Sequence, residues 1–96
     1  MARHDIVDLT NDTWTELSNA DISAATFMLV RDPRSDGAHI AVTADANAPV
    51  EGAAYMAITR TDRAVNEALS DLFPGVANPV RLWARGKNVS IAISHA

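Results

Sequence analysis

Residues 80–94 alternate apolar and polar side chains in two runs, broken once at Gly86-Lys87. A side-chain period of two marks a strand with one buried face, so this stretch constrains the fold more than any other. Gly86-Lys87 at the centre of a two-residue type II′ turn, with Gly86 at positive φ, predicts a hairpin. Its pairs would be Arg85–Asn88, Ala84–Val89, Trp83–Ser90, Leu82–Ile91, Arg81–Ala92 and Val80–Ile93. One face then collects Val80, Leu82, Ala84, Val89, Ile91 and Ile93. The other collects Arg81, Trp83, Arg85, Ser90, Ala92 and Ser94. A three-residue loop would set Leu82 against Ala92 and mix the two faces, so the shorter turn is preferred. The pattern draws the chain toward a β-rich class and names no activity.

The remaining segments extend that reading. Residues 1–12 carry Asp5, Asp8 and Asp12 around Ile6, Val7 and Leu9, and are expected to form an arm or an edge strand. Residues 13–96 are expected to form a single β-rich domain. Thr13-Trp14-Thr15-Glu16-Leu17 is strand-prone through its Thr and Trp residues, and Ser18-Asn19-Ala20-Asp21 supplies turn chemistry. In residues 22–31, Ala25, Phe27 and Leu29 share one face, and Thr26, Met28 and Val30 share the other. Both faces are largely apolar, which suits a strand inside a sandwich or an assembly. The turn-rich 32–37 segment and a strand at 39–44, with Ile40, Val42 and Ala44 in phase, predict a hairpin with 22–31. A loop over 45–52 and a strand over 53–59 follow. The period then changes: Thr61 or Asp62 serves as a helix N-cap, and Val65, Ala68, Leu69 and Leu72 recur at helical spacing. One short helix is expected at about residues 62–72, ended by Pro74-Gly75, with Asn78-Pro79 leading into the last hairpin.

Composition limits what such a domain does. Apolar residues make up 48% of the 96-residue chain, but eighteen of them are Ala. A domain this small buries only about 60–65% of its unfolded surface. With so few large side chains, modest stability is expected, and burial against a neighbour would add to it. The net charge of −4 disfavours direct binding to nucleic acid, which requires clustered Lys and Arg. No apolar run approaches the length of a membrane span. The opening Met-Ala-Arg-His-Asp lacks the apolar core of a signal peptide. A soluble intracellular chain, or one carried outside the cell within a larger particle, is the expectation. There is no cysteine, hence no disulfide and no thiolate metal site.

No arrangement of residues points to catalysis. His4, His39 and His95 are scattered, without the short spacings of a metal site. Asp32 and Asp36-Gly37 lack the alternating ligands and terminal Glu of a calcium loop and are expected to build a turn. No Gly-x-Ser-x-Gly elbow and no glycine-rich phosphate cradle is present. The chain is therefore expected to be no enzyme and to require no cofactor or metal. Trp83 between Arg81 and Arg85 leaves two readings open: a contact patch rich in interface-type residues, or a second buried layer with the Arg stems packed over the indole.

Thr13-Trp14-Thr15-Glu16-Leu17, the strand over 26–31, and Val80-Arg81-Leu82-Trp83-Ala84-Arg85 followed by 89–93 resemble small virion proteins of tailed bacteriophages and prophages. Those proteins are similar in an early Thr-Trp-x-x-Leu, a β-rich middle, a late aromatic-Ala-Arg and a short closing strand. The likeness covers both ends of the chain and leaves residues 45–79 largely unmatched. It implies a structural role on the particle, foremost as a capsid decoration or cement protein, with a neck or tail component as the variant. It further implies a homo-oligomer, foremost a trimer, in contact with the major capsid protein or another virion protein. Such a protein is made in the bacterial cytoplasm and ends in the virion, with no membrane contact. Ile6, Val7 and Leu9 of a clamping arm, with Trp14, Arg81, Trp83 and Arg85, would form its interface.

The expected fold is mainly β: a small antiparallel β-sandwich or barrel-like domain with one short helix. The other function considered is a non-catalytic β-domain that binds glycan or peptide through Trp83 and its Arg neighbours.

Overall fold

A computed structural model describes residues 2–96. Eight strands are laid down in the order β1 (Arg3–Leu9), β2 (Thr15–Glu16), β3 (Ala24–Arg31), β4 (Ala38–Thr43), β5 (Met56–Ile58), β6 (Arg63–Ala68), β7 (Arg81–Arg85) and β8 (Val89–His95). A single turn of helix, α1 (Leu69–Leu72), follows β6. The strands form two four-stranded antiparallel sheets, ordered β1-β8-β3-β6 and β2-β7-β4-β5. Their inner faces share one apolar core within a body of 34 × 28 × 20 Å. The fold is mainly β and sandwich-like, as the alternation patterns predict.

Successive strands mostly switch sheets. Among the described residues, only β4 and β5 are both consecutive in sequence and hydrogen-bonded to each other. The predicted 80–94 hairpin is therefore absent: β7 pairs with β2 and β4, whereas β8 pairs with β1 and β3. The face assignment nevertheless holds. Leu82 and Ala84 point inward from one sheet, and Val89, Ile91 and Ile93 point inward from the other. The stripe expected on one hairpin face is instead split across the core. The turn chemistry also differs, because the positive φ falls on Asn88 (55°) and not on Gly86. Gly86 is required for space: a Cβ there would approach Val89 Cγ2 to 2.6 Å.

The predicted hairpin between 22–31 and 39–44 likewise becomes a crossing between sheets. Asp32 holds the connecting loop. It is 4% exposed, and its carboxylate accepts the backbone N–H groups of Asp36 (3.0 Å) and Gly37 (2.9 Å). Gly37 sits at φ 74° with its α-carbon against the Ile58 carbonyl, where any side chain would collide. This is a turn built by a buried carboxylate that satisfies two loop donors.

The helix expected over 62–72 is confined to 69–72, and 63–68 is edge strand β6. Asp62 closes a turn by accepting Thr59 N–H (2.8 Å) and caps no helix. Val65, placed on the buried helix stripe by sequence, is 64% exposed, whereas Leu69 is fully buried. Tertiary context overrides local spacing here, since β3 would otherwise leave its outer edge unpaired. A bulge between Ala25 and Phe27 breaks the β3–β6 register, Asn66 takes φ 48°, and its N–H bonds Thr26 Oγ1 at 2.8 Å.

Candidate interaction surfaces

Each sheet presents an outer face, and the two differ in character. On the β2-β7-β4-β5 sheet the outer residues are tied to one another. Trp83 is 7% exposed, and its indole N–H donates to Thr43 Oγ1 at 2.9 Å. It lies in register between Glu16 and Ala41. Arg81 donates from Nη1 to Glu16 (2.9 Å) and from Nε to Asp21 (2.9 Å), and the hydrogen bonds to Asp21 and then Glu16 raise its already high pKa. Glu16 also accepts the Ser18 hydroxyl (2.8 Å), whose oxygen accepts Leu82 N–H (3.1 Å). Arg81, Glu16 and Ser18 thus fasten the two-residue strand β2 to β7. Of the two readings open for the Arg81–Trp83–Arg85 trio, the burial of Trp83 fits a second buried layer, with the Arg81 head group held by Glu16 and Asp21 instead of lying free in water.

Arg85 organises the other end of this face. Its guanidinium stands 4.8 Å from the Trp14 ring centroid and 5.8 Å from that of Tyr55. Tyr55 stacks on His39 at 3.8 Å between centroids. Arg85 Nη2 lies 3.1 Å from His39 Nδ1, and Nε lies 3.5 Å from Asp12 Oδ1. Arginine has only donors, so His39 Nδ1 is the acceptor and the imidazole proton sits on Nε2. Burial, and secondly the Arg85 charge, lower the His39 pKa below its usual value, with Asp12 opposing. A cleft of about 200 Å³ opens beside these groups, bordered by Asp12, Asp36, His39, Arg85 and Lys87. Carboxylates and cations are mixed around it, so it is an ion-pair and stacking cluster with no net preference for a charged ligand.

The outer face of the β1-β8-β3-β6 sheet is apolar at its centre. Register places Ile6, Ala92, Met28 and Arg63 in one row across the four strands. Ile6 is 61% exposed and Met28 half-buried. A groove of about 420 Å³ runs over this row, bordered by His4, Ser94 and Thr26 on one side. Val30, next to the bulge between Leu29 and Arg31 on the same face as Met28, adds further exposed apolar surface.

No family model, curated protein or solved structure matches this chain.

The sequence-derived interface residues therefore fall into three places. Ile6 lies on the open apolar face. Arg81, Trp83, Arg85 and Trp14 lie on the interlocked face. Val7 and Leu9 (8% and 1% exposed) point into the core from β1, so their place in an exposed interface is corrected. Their alternation with Ile6 carries the reason, since neighbours on a strand point to opposite faces. Met28, Ala92, His39 and Tyr55 were not among the candidates. Met28 and Ala92 were findable from the apolar second face of their strands. The pairing of Tyr55 with His39 has no sequence signal. Among the described residues, no three His, Asp or Glu side chains gather as a metal site, and no helix is long and apolar enough to cross a membrane.

Proposed function

We propose that this chain is a non-catalytic assembly subunit, a structural component of a tailed-phage particle that seats on the capsid as a decoration or cement protein. The observation that carries the reading is the outward-facing apolar row Ile6–Ala92–Met28, exposed at Ile6 and half-buried at Met28, and the groove above it. The sheet presents that row with Ile6 61% exposed among the described residues. Covering apolar surface releases about 25 cal/mol per Å², so a shallow contact is weak singly and effective when repeated over a lattice. A subunit that binds only the assembled shell stabilises that shell by mass action. The likeness of both chain ends to small virion proteins supplies the kind of particle. The glycan- or peptide-binding alternative depended on an open Trp83, and the committed indole gives it no support.

The test is localisation on particles. Particles induced from the bacterium that carries the gene are purified on a density gradient and probed with an antibody against the chain. Fixed-stoichiometry labelling of heads is expected, with Met28→Asp lowering occupancy and a thermal melt confirming that the variant still folds. Purified particles that lack the chain would overturn the reading.

A further inference from the structure

Of the four sheet edges, three are blunted. Strand β2 has two residues, β5 has three, and β6 is broken by its bulge at Asn66. Strand β1 differs. It runs seven residues without Gly, Pro or bulge, and every residue from Arg3 to Leu9 pairs with β8 in unbroken register. Among the described residues, no other backbone group bonds its outer edge. A long, regular, open edge is a template for another strand.

We propose that β1 pairs antiparallel with β1 of a second copy of this chain, joining two four-stranded sheets into one of eight strands. A two-fold axis normal to the sheet keeps each face continuous, so paired positions must point to the same face. Centring the axis on Ile6 meets this condition and gives the pairs Ile6–Ile6, His4–Asp8, Asp5–Val7 and Arg3–Leu9. On the outer face, two His4–Asp8 pairs flank an apolar centre, and no like charges stand directly opposite. Centring on Asp5 would oppose two carboxylates, and centring on Val7 would lose both the Ile6–Ile6 centre and the His4–Asp8 pairs; the Ile6 register keeps them, at the cost of Asp5 opposite Val7 on the inner face. In the Ile6 register the two Asp5 side chains lie diagonally, and each already has Arg3 Nε at 3.3 Å. The apolar row then runs Met28–Ala92–Ile6 in one copy and on through Ile6–Ala92–Met28 in the other, doubling the docking face. This deepens the assembly reading, on which its biological use rests.

Sedimentation velocity of the full chain at pH 8, over a concentration series, tests the pairing. The wild type is expected to reach twice the mass of one chain. Ile6→Lys sets two ammonium groups face to face and is expected to weaken the dimer about tenfold or more. His4→Asp places a carboxylate against Asp8 twice and weakens it several-fold, whereas His4→Lys retains it. Val65→Lys, equally exposed on the opposite edge strand β6, leaves it unchanged. Thermal melts confirm that the variants fold, since Ile6 and Val65 are surface residues. A monomer at all concentrations, a trimer, or a dimer indifferent to both Ile6→Lys and His4→Asp would overturn the pairing. A wild-type monomer that still labels phage heads overturns the pairing alone. A dimer absent from heads overturns the proposed function alone.

Discussion

The guanidinium of Arg85 lies 4.8 Å from the Trp14 ring centroid, bringing together residues from the chain's first loop and its seventh strand. Strand β2 is too short to hold the segment before it, so this stack and the Arg81–Glu16 bridge fasten the loop to the sheet. Half-exposed cation–π contacts contribute about 0.5–2 kcal/mol, and the partly solvated Asp12 pair adds little. Arg85→Ala is expected to lower stability by about 1–2 kcal/mol in urea unfolding. Arg85→Lys should recover only part of the loss, because an ammonium lacks the plane that lies between Trp14 and Tyr55.

His39 carries a pH dependence of definite sign. Its folded pKa is depressed by burial and then by Arg85, so between that value and the unfolded 6.5 the unfolded chain binds more protons. Stability from this group is full above pH 6.5 and is lost as pH falls through 6.5 toward the folded value. Protonation also removes the acceptor that Arg85 uses. The melting temperature is expected to fall between pH 7.5 and 5 by more in the wild type than in His39→Gln. Equal slopes in the two proteins would contradict the assignment.

Asp32 is the buried carboxylate on which the β3–β4 crossing depends. Asp32→Ala strands the N–H groups of Asp36 and Gly37 and is expected to cost about 2 kcal/mol or more. Gly37→Ala should be at least as harmful, because it adds positive-φ strain to a collision with the Ile58 carbonyl. Denaturant midpoints of the two variants measure both effects.

Ile6 and Ile91 share a side chain and differ in the face they occupy. Ile91 is fully buried at the centre of β8, and Ile91→Ala is expected to cost about 2–5 kcal/mol, enough to unfold much of so small a domain. Ile6→Ala should stay within about 0.5 kcal/mol in the monomer. Chemical unfolding at concentrations below self-association separates the two. Similar losses would contradict the placement of the apolar row on the outer surface.

The faces of β3, β4, β7 and β8 were legible from alternation. Ala25, Phe27 and Leu29, Ile40 and Val42, and the inward set of β7 and β8 all lie where a period of two puts them. The partner of each strand was not. The alternation sets Leu82 beside Ile91, whereas the fold puts them in different sheets, both turned into the core. Asp62 carried a helix-cap signal that a four-residue turn used instead, and Val65 fitted a helical stripe yet faces water. The Trp14–Arg85–His39–Tyr55 cluster has no local sequence signal, because its members lie far apart in the chain and meet only where β7 pairs with β2 and β4, and β4 with β5.

What the letters alone determined is which side of each strand is oily, because alternation is a local property written into consecutive residues. That sufficed for the class of fold, but not to separate Ile6, which faces out, from Val7 and Leu9, which face in. Which strands bond, where the edges fall, and whether Trp83 is open or covered were decided only by the folded chain. Hydrogen bonding between strands is the same backbone chemistry whichever strand lies alongside, so selectivity comes from filling one shared core. That filling depends on all the inward side chains at once, and no single segment encodes it.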